Sequence, residues 1–354
     1  MNTMAFVREL IGLAAATAVI SSAGAARAHG GDDVERSPRE GSAGPGQGGQ
    51  AGSEDGGASG SREQFTLSVD LVLGWGKAPF AVQNLPTTGT QAITYTYSGA
   101  TPSDVQSFLF AGSFEVNKHV AIGARLPLSF GTFSPEGSSP DGAAARSTNS
   151  FGNIELDAEY GSRVALSSAS TMRVVGSLGV ALPTALGDEI PSDLVARAAS
   201  DVDVNAYDRF SLSRAAAMAR GDEDDALFAP KRLGIVPKIA LLYQGPSLRI
   251  EPSFKVENLV STSTSLAAPY IGEIVPAVRL GYRVRGVVEL TLRAWANVRF
   301  AAATGDRQTT AAVEPGMALQ LGSVVPYAGV IVPVSGLPYS DSFLGVRLGV
   351  GGSF

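Results

Sequence analysis

The chain has 354 residues, with 42 Gly, 20 Pro, no Cys and 2 His, and a net charge of −6. Charged residues make up 17%, against ~25% in an ordinary soluble domain. The missing Cys excludes disulfides, thiolate metal sites and Cys nucleophiles, two His exclude a His metal cluster, and the acidic balance argues against a nucleic-acid partner.

In chain order, residues 1–28 read as a secretory signal. Arg8 precedes the apolar run Leu10 to Ile20, and Ala26-Arg27-Ala28 is a small-residue cleavage pattern. The run is shorter than the ~20 residues a spanning helix needs. Residues 29–63 hold no large apolar residue beyond Val34 and are rich in Gly and Ser. Such a segment cannot bury enough surface to offset its ordering entropy, so a disordered tether is expected.

From residue 64 the pattern becomes period two. Twelve stretches alternate apolar and polar residues: 64–75, 105–116, 120–130, 152–162, 171–182, 233–244, 247–257, 272–283, 287–300, 311–321, 324–334 and 342–354. Tight connections fall at Asn117-Lys118-His119, 163–170, Gly245-Pro246, Arg285-Gly286 and Gly322-Ser323. Long ones fall at 76–104, 131–151, 183–232, 258–271, 301–310 and 335–341. Tight and long connections alternate along the chain, so all tight turns share one rim. The pattern predicts an all-β fold over 64–354. It is a 12-stranded antiparallel transmembrane β-barrel with short periplasmic turns and long outer loops, placed in the outer membrane.

The charges support this. In 247–257, Arg249, Glu251, Lys255 and Glu257 share one parity, while Leu248, Ile250, Phe254 and Val256 share the other. The same separation sets Glu155, Asp157 and Glu159 apart from Leu156 and Tyr160. It recurs for Glu273, Arg279 and Arg283, and again for Glu289, Arg293 and Arg299. Aromatic residues on the apolar parity sit near strand ends, as interfacial girdles do: Phe65, Phe114, Tyr160 and Tyr282 at one level, Trp75 and Phe300 at the other. The chain ends on an amphipathic strand closing with Phe354. Five strand prolines, Pro237, Pro252, Pro276, Pro315 and Pro326, are expected near the outer rim, where pairing loosens.

Inward parity carries ten acids and ten bases, so a strongly ion-selective pore is not expected. The candidate lumen-lining residues are Glu155, Asp157, Glu159, Arg249, Glu251, Lys255, Glu273, Arg279, Glu289, Arg293, Arg299 and Arg347. The 183–232 loop is too long to lack structure. It shows one helix pattern over 192–200 and a second over Ser211 to Arg220, stopped by Gly221. A helical plug or lid over the outer mouth is expected there. The following acids, Asp222 to Asp225, read as a solvated run. Catalytic motifs are missing: the internal His119 lies in a tight turn, and no GxSxG elbow, P-loop or dinucleotide fingerprint occurs. No enzyme, metal or cofactor is therefore expected.

Phe151 to Tyr160, followed by Gly176 to Gly187, resembles a Gly-x-Gly-Asp-strand-Tyr and Leu-Pro-Thr-Gly pattern. That pattern belongs to a family of outer-membrane transporters of the phenol-degradation meta-pathway. The resemblance covers about forty residues of the chain. Asn153 stands where that family has an acid, and two residues separate Pro183-Thr184 from Gly187. The resemblance implies a barrel that moves small organic solutes.

The expectation is passive passage of small solutes through a polar lumen, gated by the outer loop. The alternative is a non-conducting structural or surface-interaction barrel. Expected partners are outer-membrane lipid and lipopolysaccharide, the barrel-assembly machinery and a small solute.

Overall fold

A computed structural model describes residues 65–84, 94–133, 145–167, 169–188, 204–264, 268–301, 309–334 and 343–354. The expected leader, tether and 192–200 helix lie outside the described residues.

The strands are β1 (Phe65–Asn84), β2 (Thr94–Glu115), β3 (Val120–Phe133), β4 (Arg146–Phe151), β5 (Glu155–Ser167), β6 (Ser170–Ala181) and β7 (Arg232–Gln244). Then come β8 (Leu248–Ser261), β9 (Tyr270–Val284), β10 (Val288–Ala301), β11 (Thr309–Leu319), β12 (Val324–Pro333) and β13 (Leu344–Ser353). Neighbours in sequence pair antiparallel, β4 and β5 excepted, and β1 closes on β13 from Thr66↔Ser353 to Trp75↔Leu344. The result is a closed barrel of twelve staves. The thirteenth strand arises because one stave is broken. β3 pairs with β5 over Val120 to Arg125 and with β4 over Leu128 to Phe133. The break at Gly152-Asn153-Ile154 lies between β4 and β5.

Closure removes every sheet edge, which is what lets a sheet cross lipid. The alternation then sorts side chains by solvent. On the outer face Leu290 is 52% exposed and Tyr160 59%, while Glu273 and Glu257 on the inner face are 0% and 1%. The exposed apolar residues are the lipid band rather than misplaced core.

Two expectations are corrected. The 76–104 segment is not one long loop, because β1 and β2 continue as a paired ribbon to Asn84↔Thr94. The strand prolines do not all gather at the outer rim: Pro252 and Pro326 lie near the periplasmic ends of β8 and β12. Pro237, Pro252, Pro276 and Pro315 share instead an exposed, outward-facing position.

Candidate functional site

The connection from β6 to β7 turns into the barrel. Its helix α1 (Val204–Ala219) is Ala-rich, which favours helix and keeps the cylinder thin. Leu212, Ala215, Ala216, Ala217 and Ala219 are buried against the inward residues Val72, Val105, Phe133, Trp295 and Ile331, with Phe343. The wall makes room with glycine. Gly74 and Gly345 face each other across β1 and β13, and a Cβ on either would collide with Ala219. The helix begins at Val204, earlier than the Ser211 start expected, and ends at the predicted stop. Gly221 has φ +72, its N–H donates to the Met218 carbonyl at 2.9 Å, and Asp222 N–H donates to the Ala217 carbonyl at 2.9 Å. This is the Schellman arrangement that glycine permits. Trp295 Nε1 then donates to the Gly221 carbonyl at 2.9 Å.

The acidic run that follows is not solvated. Asp222, Glu223 and Asp225 are buried inside the barrel. Glu223 accepts from Arg293 at 2.7 Å. Asp224 pairs with Arg125 and Lys255, each at 3.1 Å. Asp225 pairs with Arg299 at 2.6 Å and with Arg214 of α1 at 3.2 Å. Asp222 lies 3.6 Å from Arg214, and its carbonyl accepts from Asn297 at 2.8 Å. Burial alone would raise the Asp224 carboxyl, but Lys255 and Arg125 hold it well below the usual carboxylate range. Asp225 is likewise lowered against its own burial, by Arg214 and Arg299.

The short 3-10 turn Asp225–Phe228 is fully buried. Ala226 N–H donates to Glu257 at 2.7 Å. Arg220, 1% exposed, flanks the run. Its Nη1 reaches Asp70 at 3.2 Å, its Nε reaches the Ser107 hydroxyl at 3.0 Å, and its Nη2 reaches the Ser107 carbonyl at 3.0 Å. At the break in the wall, Asn153 Nδ2 donates to the Ala226 and Ala229 carbonyls, both at 2.8 Å.

The structure places the expected lumen residues as follows. Glu155 pairs with Arg125 at 2.7 Å and Glu159 with Arg173 at 2.9 Å, while Asp157 lines a cavity beside them. Arg249 pairs with Glu251 at 2.7 Å and lies 3.8 Å from Glu289. Lys255 also pairs with Glu257 at 2.6 Å, and Glu273 with Arg299 at 2.6 Å. Arg347 joins Glu314 at 3.2 Å and Asp70 at 3.6 Å, and Arg279 lines a cavity. The set divides by height. Lys255, Glu273, Arg293, Arg299 and Arg347, the last 3.9 Å from Glu223, meet the plug, and the others face open space below it.

That space consists of two cavities on the periplasmic side of the plug, about 480 Å³ and about 340 Å³. Asp70, Arg220, Glu223 and Asp224 roof the larger. Sequence reasoning missed Arg220, Asn153 and Trp295. Trp295 carried a usable signal: an indole at inward parity, two residues from Asn297, has no place in a water-filled pore and implies that something fills the lumen.

Twelve antiparallel staves, apolar outside and charged inside, with short turns at one rim and long connections at the other, define the bacterial outer-membrane β-barrel. This chain is a plugged member of that class. No protein-family model and no curated protein matches it. Among solved structures it is similar to an outer-membrane channel from Pseudomonas putida F1. The identity is 12%, covering 86% of this chain and 100% of that one, with a TM-score of 0.48. It is also similar to the translocator domain of the autotransporter NalP from Neisseria meningitidis. There the identity is 10%, covering 84% of this chain and 90% of that one, with a TM-score of 0.39. The NanC porin is 8% identical over 80% of this chain and 100% of its own, with a TM-score of 0.40.

Proposed function

We propose that the protein is a channel for passive passage of small solutes across the outer membrane, gated by the 204–231 segment seated in its lumen. The observation that carries this reading is the pair of polar cavities beneath a plug anchored by ion pairs. Glu223, Asp224 and Asp225 each hold a wall base. Water re-solvates both partners when such a pair separates, so its net contribution to closure is small after desolvation. A plug anchored this way is able to leave. The competing reading is a sealed, non-conducting barrel, and the apolar layer of Leu212, Val72, Trp295 and Ile331 favours it.

Planar-bilayer recording separates the two. The wild-type protein is expected to show brief openings. Replacing residues 204–229 with a short Gly-Ser link is expected to give steady openings of severalfold larger conductance. A full-length variant, Glu223→Gln with Asp224→Asn and Asp225→Asn, should raise the open fraction without shortening the chain. Folded barrels that carry no current in any of the three forms establish the sealed reading.

A further inference from the structure

The two cavities share part of their lining. Ser68 on β1, Lys238 on β7, Ser253 on β8, Arg293 on β10 and Arg347 on β13 border both. Three bases and no acid meet at this junction, although each cavity carries acids elsewhere, such as Asp157 and Glu251. Two of the bases are engaged, Arg293 by Glu223 at 2.7 Å and Arg347 by Glu314 at 3.2 Å. Lys238 is different. Among the described residues it makes no hydrogen bond or ion pair, yet it projects into both cavities and is exposed there. Its neighbours across the ladder are Ser177 on β6 and Lys255 on β8. Lys255 is held by Asp224 and Glu257. The nearby acid Glu251 is taken by Arg249 at 2.7 Å.

Like charges opposite each other on adjacent strands destabilise a sheet. Inside a protein-walled cavity the repulsion is less screened than at an open surface. An ammonium that no ion pair holds, with Glu251 and Glu223 acting on it only from further off, therefore costs the fold stability unless an anion joins it. One unmatched charge calls for a monoanion; a dianion would leave a charge of its own unpaired. Val236, two residues along the same face of β7, and Val275 and Ala277 on β9 give an apolar lining for an organic body. Both cavities are within the ~300–1,000 Å³ range of small-molecule sites.

We propose that this junction is a binding subsite for a small organic carboxylate, with Lys238 as its principal cation, Arg293 and Arg347 as flanking cations, and Ser68 and Ser253 as hydroxyl donors. The inference deepens the channel reading, on which it rests for the solute's route but not for binding itself.

Calorimetry on the folded full-length barrel in detergent tests it, with butyrate as probe. Butyramide serves as its neutral isostere and sulfate as the dianion. Butyrate is expected to bind the wild type more tightly than either. Lys238→Gln should weaken it about tenfold, the scale of one lost charge-assisted hydrogen bond, and Lys238→Arg should restore it. Lys238 makes no ion pair among the described residues, so Lys238→Gln should melt no lower than the wild type. Equal butyrate affinity in the wild type and Lys238→Gln overturns the proposal. So does butyramide or sulfate binding as tightly as butyrate. Lys238-dependent butyrate binding in a barrel whose plug-deleted form carries no current keeps the subsite and removes the channel. Current without butyrate binding does the reverse.

Discussion

Asn153 joins the broken wall to the plug. It is fully buried. Its Nδ2 donates to the Ala226 and Ala229 carbonyls, its Oδ1 accepts from Ala185 N–H at 2.9 Å, and its own N–H donates to the Leu227 carbonyl at 2.7 Å. The transporter family that this stretch resembles has an acid at the position. A carboxylate has no N–H to give, so it would present oxygen to two carbonyl oxygens. The amide here follows from what it faces. Asn153→Asp is expected to weaken plug docking by about 2 kcal/mol, roughly thirtyfold in the opening equilibrium. Amide hydrogen exchange at 215–228 reads that opening directly. Unchanged protection there would show that the plug does not depend on this side chain.

Helix α1 carries one acid of its own, upstream of the acidic run. Asp208 is buried and lies 3.3 Å from Arg146 on β4. Burial pushes its carboxyl up to about 6, against the opposing pull of Arg146. The docked helix thus retains a proton that a released helix, with an ordinary value near 3.8, gives up. The docking stability from this group is fully present below that lower value and is lost as the pH rises through about 6. Asp224 and Asp225 are depressed instead, so their contribution is lost only as the pH falls below the ordinary carboxylate range. On the channel reading, the closed fraction is therefore expected to fall between about pH 4 and pH 6 and to level off above that, and Asp208→Asn should flatten the dependence. Single-channel recording at the two pH values checks this; an equally steep change in the variant would assign the titration elsewhere. The helix stop at Gly221 was legible because a left-handed cap has a local signature. The burial of Asp222 to Asp225 was not. Four adjacent acids look solvated, and the wall bases that hold them lie between 31 and 99 residues away.

Across the whole molecule, legibility followed solvent. Where a strand separates lipid from lumen, side chains alternate between two media and the period shows in the sequence, as it does along β8, β9 and β10. Where β1 and β2 extend beyond the closed wall to Asn84↔Thr94, no lipid face is required. The alternation lapses, and 76–104 reads as a loop. The break between β4 and β5 was hidden for a related reason, since Gly152 and Asn153 serve the plug and not either medium. The same sorting yields a test within one strand. Leu292 is 47% exposed on the outer face of β10, and Thr291 beside it lines the smaller cavity. An Arg at mid-depth on the lipid side costs about 2–4 kcal/mol, because no snorkelling route reaches water cheaply. The same Arg at position 291 enters a polar cavity already lined by Glu289 and Glu314. Leu292→Arg is expected to lower folding stability in lipid vesicles by that amount, read from urea titration. Thr291→Arg should change it by less than about 1 kcal/mol. Equal losses at the two adjacent positions would mean that the inner and outer faces do not meet different solvents, and the barrel's placement across a bilayer would be wrong.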